Sequence, residues 1–143
     1  MTIYSAQSGY WDDPDTWVGG VVPDLYNDDV VVADYHTVTM DSTSRTLASG
    51  REIAVDEYAT LEVYSDLTVE NGASLYIDGG LYVSAWIDMQ GYMGIASGGW
   101  LDDYGSVAVL YGGTVDVYGS ASVGAYCNFD VVYGSSLYVY GSF

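Results

Sequence analysis

Any chemistry in this chain would fall to carboxylates. There are 20 Asp and Glu against two basic residues, Arg45 and Arg51, with one cysteine, Cys127, and one histidine, His36. Paired acids hydrolyse glycosides when their separation suits an acid and a nucleophile or base. The outward candidates are Asp78, Asp88, Asp102, Asp103, Asp116 and Asp130. No two of these recur at a spacing that sets them side by side on neighbouring turns of the repeat described below. A nucleophilic Cys–His pair would need Cys127 and His36 to converge. Cys127 falls in an apolar alternation with Ala125 and Phe129, which reads as a small buried thiol. Hard cations need six to eight oxygens. Two clusters could supply some of them: Asp12, Asp13 and Asp15, and Asn27, Asp28 and Asp29. Neither has the Gly-interrupted spacing of a calcium loop, and Asp and Asn are ordinary turn formers, so the sequence leaves metal binding open. Phosphate loops, zinc patterns and basic patches are missing. The expectation is a protein that is not an enzyme and uses no cofactor.

The bulk properties narrow the partners. A net charge of −18 repels nucleic acid and anionic membranes. No run approaches the roughly 18 apolar residues of a membrane helix. The opening MTIYSAQSGYW lacks the basic and apolar regions of a secretory signal. Half of the 143 residues are hydrophobic, with 18 Gly, 16 Tyr and two Pro. That composition favours strands joined by tight turns.

A repeat organises those strands. The segments starting at Asn71, Gln90, Tyr111 and Tyr133 resemble one another and set a period near 20. Three apolar series follow it. They are Leu75, Ile95, Val115 and Leu137; Leu61, Leu81, Leu101 and Val123; and Leu67, Ile87, Val107 and Phe129. Each steps by 20, 20 and 22, and a two-residue insertion falls between Val117 and Leu137. Going back by 20, Leu47 and Val55 extend the third and first series. Apolar partners two positions on, as in Leu61 and Val63, mark strand alternation. Three short strands per turn, each pairing with its equivalent one turn on, make an all-β, three-faced parallel β-helix. The Gly-rich corners carry tyrosines 22 apart, Tyr111 with Tyr133 and Tyr118 with Tyr140, expected to stack on adjacent turns. These four and Phe143 are candidate interface residues.

Residues 1–37 fall outside the repeat and read as an N-terminal cap, with Trp11 and Trp17 as plugs, ahead of a solenoid over 38–143. The order Ser8-Gly9-Tyr10-Trp11, Asp15-Thr16-Trp17, Gly19-Gly20, Pro23, Asp28-Asp29-Val30 and His36-Thr37-Val38-Thr39 resembles the opening of the eight-glycine domain family. The match covers about 35 residues. That resemblance implies a solenoid start, as in bacterial surface β-helix proteins and some tailed-phage structural proteins, and implies no particular activity.

The sequence ends in repeat at Tyr138 to Phe143 without an evident cap, so docking or self-association is expected, with a trimer as the symmetric cluster. The expected role is a non-enzymatic virion protein, such as a phage capsid decoration, head-fibre or tail-associated component. The alternative is a carbohydrate-binding or adhesive module of an extracellular bacterial surface β-helix protein.

Overall fold

The computed structural model describes residues 1–110 and 112–143. It is an all-β parallel solenoid with three faces. The first sheet holds β1 (Thr2–Tyr4), β3 (Asp29–Val32), β6 (Glu52–Val55), β9 (Ser74–Ile77), β12 (Tyr92–Ile95), β15 (Thr114–Val117) and β18 (Ser136–Val139). The second holds β2 (Gly9–Tyr10), β4 (Thr37–Met40), β7 (Thr60–Val63), β10 (Gly80–Val83), β13 (Trp100–Asp103) and β16 (Ser120–Val123). The third holds β5 (Arg45–Leu47), β8 (Leu67–Val69), β11 (Trp86–Met89), β14 (Ser106–Val109) and β17 (Asn128–Val131). Most strands alternate a buried with a more exposed residue, as a half-buried strand must.

Turn length follows from the corners. Leu75 pairs with Met93, 18 residues on, and this turn has two-residue corners at 78–79, 84–85 and 90–91. Leu81 pairs with Leu101, 20 on, after one four-residue corner at 96–99. Val115 pairs with Leu137, 22 on, after two, at 124–127 and 132–135. Each longer corner therefore adds two residues. Because strand side chains alternate with period two, such insertions leave the inward set inward. The insertion expected between Val117 and Leu137 is the corner 124–127, where the preceding turn has only 104–105.

This parity preserves the faces and shifts the columns. The third series pairs as expected, Leu67 with Ile87, Ile87 with Val107 and Val107 with Phe129. In the first, Ile95 stands beside Ile77 and Val117, one column over, and Met93 takes its place between Leu75 and Val115. In the second, Ala121 pairs with Leu101, and Val123 pairs with Asp103. Leu47 and Val55 likewise pair with Val69 and Ile77.

Two kinds of glycine shape the corners. In the four-residue corners Gly72, Gly112 and Gly134 have φ near +86°, where an L side chain is strained. In the two-residue corners the need is space: a Cβ on Gly79, Gly91, Gly105 or Gly119 would strike carbonyl oxygens of the preceding turn.

Three short strands within the first 37 residues are already part of the coil. β1 pairs with β3 and β2 with β4, so the ladders cross the expected boundary. Trp11 and Trp17 are buried and meet edge to face at 4.8 Å, and the Trp17 indole N–H donates to the Trp11 carbonyl at 2.7 Å. They join Leu25 and Ile3 in the core cluster.

Candidate interaction surfaces

The oxygen-rich clusters are engaged in local structure. Asp12 accepts from the Arg45 guanidinium at 2.7 Å, and Arg45 in turn lies over the Trp11 ring. Asp13 accepts the Asp15 N–H and so caps the short 3-10 turn Pro14–Thr16. Asp28 accepts the Asp24 N–H and faces the N-terminal amine at 3.5 Å. Asp29 accepts the Glu52 N–H and faces Arg51, also at 3.5 Å. Among the described residues no three His, Cys, Asp or Glu side chains gather as a metal site.

The remaining reactive groups do not converge. Cys127 is half-exposed in the corner 124–127, and β17 begins only at Asn128. The alternation that suggested a buried thiol belongs to that inserted corner. His36 sits in the early turns, its Nδ1 2.8 Å from the Ser5 hydroxyl, which also accepts the Ala33 N–H.

None of the six acids singled out by sequence is paired with another on a neighbouring turn, but a row of acids does form with two others. Asp34, Asp56 and Asp78 follow β3, β6 and β9 at one corner, at steps of 22. Partial burial, then the charges of Asp34 and Asp78, push the Asp56 carboxyl above its usual range. Asp103, expected outward, instead points inward and is fully buried, pairing with Val83 and Val123.

The tyrosines form ladders on the outside. Tyr118 and Tyr140 stack as expected, 4.6 Å apart and 8° from parallel. Tyr35 stacks on Tyr58, and Tyr82 lies between Tyr64 and Tyr104 at 5.7 and 5.4 Å. Tyr133 is almost fully exposed. The expected Tyr111–Tyr133 stack lies outside the described residues.

The outer face of the second sheet has a feature the sequence reading passed over. Gly80 and Trp100 are register partners at outward positions. A Cβ on Gly80 would enter the Trp100 ring at Cζ2, Cε2 and Cη2 together, so the indole lies flat over the glycine. Gly80 is buried in consequence, and Trp100 remains half-buried. The legible signal was a Trp one turn after a Gly at the same outward position. Beside the indole, the Asp102 carboxylate accepts from the Ser122 hydroxyl at 2.6 Å, and Glu62 accepts from Thr39 at 2.8 Å.

At the C-terminal end the inward columns run out uncovered. Val131 pairs with Val109 and Val139 with Val117, yet they are 44% and 42% exposed where their partners are buried. Val123, Phe129 and Leu137, expected in the core, are only partly buried for the same reason. Phe143 packs edge-on against Phe129 at 5.2 Å and stays 55% exposed, so it plugs little of the rim. Residues 118–143 carry one charged side chain, Asp130. Comparison with family models, with curated proteins and with solved structures found no match.

Proposed function

We propose that this chain is a non-enzymatic structural protein that works seated against other protein, in the manner of a tailed-phage capsid decoration, head-fibre or tail-associated component. The observation that carries the reading is the C-terminal rim. Val131, Val139 and Phe143 expose apolar surface there, where β17 and β18 are the outermost strands of their sheets among the described residues. Exposed strand edges and contiguous apolar patches are characteristic of surfaces that other chains cover. The charge distribution supports the same reading. With one acid in the last 26 residues and 19 before them, the rim meets a partner with the least electrostatic cost. A trimer is the symmetric cluster we favour as the docking form. The resemblance of the opening to the eight-glycine domain family is compatible with the virion setting and with a bacterial surface alike.

An antibody raised against the chain tests the setting. Decoration of phage particles released by the source organism is the expected result. Labelling confined to the bacterial surface would replace this reading with the adhesive one.

A further inference from the structure

We propose that the outer face of the second sheet, centred on Trp100, binds a neutral saccharide chain. Recognition of a sugar needs a flat aromatic surface for the C–H face of the ring and oriented polar groups for its hydroxyls. Trp100 supplies the first. Its indole is laid flat by Gly80 beneath it, so one ring face is taken by backbone and the other points away from the sheet. The nearest tyrosine is less free, because the Tyr82 ring lies between Tyr64, tilted against it at 5.7 Å, and Tyr104, stacked on it at 5.4 Å.

Asp102 and Glu62 supply the second. Both carboxylates are steadied by a neighbouring hydroxyl, and a carboxylate accepts more than one hydrogen bond. Both sit in one outward column: Glu62 pairs with Tyr82, and Tyr82 with Asp102. A depression of about 350 Å³, lined by Tyr10, Thr39, Asp41, Glu62 and Tyr64, continues the face toward the N-terminus. From β13 to β7 is two strand spacings, roughly 10 Å. A chain of sugars spans that stretch better than a single one.

Charge selects the class of glycan. The face carries Glu62, Asp41 and Asp102 with no basic side chain among them, in a chain of net charge −18. Acidic polysaccharides are repelled by such a field. The ligand is a neutral glycan.

Affinity electrophoresis through gels containing dextran, glucomannan, xyloglucan or amylopectin, with alginate as the acidic control, tests the site. Retardation by at least one neutral polymer and none by alginate is expected. Trp100→Ala should weaken that retardation about ten-fold, and Asp102→Asn should weaken it several-fold. Trp86→Ala removes an exposed tryptophan from the third sheet and should change nothing. Melting temperatures near wild type would show that the variants remain folded, and Asp102→Asn keeps the test valid if Trp100→Ala does not fold. Retardation by none of the neutral polymers, equal loss in Trp86→Ala, or preference for alginate would overturn the proposal. So would an Arg-rich peptide displacing the glycan as the tighter ligand.

Discussion

Asp103 stands in register with Val83, its side chain filling an inward position in a column that otherwise holds Met40, Val63, Val83 and Val123. One carboxylate oxygen accepts the Gly105 N–H at 2.9 Å, and the other is buried without a partner among the described residues. Burial pushes its pKa up, against the opposing pull of the Gly105 and Val107 N–H groups. The folded chain thus holds this proton more tightly than the unfolded chain does. The stability linked to it is complete below the ordinary value of 3.8 and is lost as pH rises through the raised one. At neutral pH the residue is a cost. Asp103→Val should stabilise the protein by about 1–3 kcal/mol, since an unpartnered buried carboxylate oxygen goes and a matching side chain replaces it. Thermal melts from pH 7 down to pH 4 should show the wild type gaining on the variant. An unchanged difference between the two would contradict the linkage.

Corner parity makes a second prediction. Deleting Ala125 and Tyr126 together, with Cys127→Gly to fit the tight corner, converts 124–127 into a two-residue corner like 104–105. The inward set stays inward, so the melting point should fall by only a few degrees, as roughly 1 kcal/mol does in a chain of this size. Deleting Ala125 alone turns every following side chain to the opposite face. Circular dichroism and melts should then show the last turn unfolded.

That same parity explains how much could be read from sequence. Alternation and period gave the fold class, the third column and the Tyr118–Tyr140 stack, because all depend on features that repeat. The column through Ile95 came out one place aside because corners at 78–79 and 96–99 differ in length while the mean spacing stays near 20, and that through Val123 did so because the inserted corner 124–127 follows it, leaving Ala121 twenty residues after Leu101. Asp103 sits two places after the inward Leu101, so alternation itself places it inward and only its charge pointed outward, while the row of Asp34, Asp56 and Asp78 runs at a step of 22. The Trp100 platform depends on which way a long side chain leans, and periodicity does not encode that.

Backbone strain at the corners separates two tyrosines. Tyr58 and Tyr126 both hold φ between 60° and 70°, in the place where other corners use glycine. Tyr126 is fully exposed, so Tyr126→Gly should stabilise by up to about 1 kcal/mol, the left-handed strain relieved less the entropy cost of glycine. Tyr58 stacks on Tyr35 at 5.4 Å. Tyr58→Gly loses that contact and should give no gain. Chemical denaturation of the two variants in parallel checks the contrast, and an equal gain in both would remove it.

Alkaline unfolding should involve Tyr92. Its hydroxyl donates to Asp116 at 3.1 Å, and burial followed by that carboxylate raises its pKa to about 12. The folded state keeps this proton where the unfolded state gives it up, so stability declines as pH rises from 10 toward 12. Tyr92→Phe should flatten that part of the pH–stability curve. Equal slopes in both proteins would exclude the linkage.

Sedimentation equilibrium of the pure chain, at low and high salt, tests most directly whether the protein works through its exposed rim. Screening the charge of −18 should favour contact between molecules. The predicted result is association that rises with protein concentration and with salt, and is lost in a Val131→Asp, Val139→Asp double variant whose circular dichroism matches wild type. A single monomeric species of wild type under every condition would contradict the account.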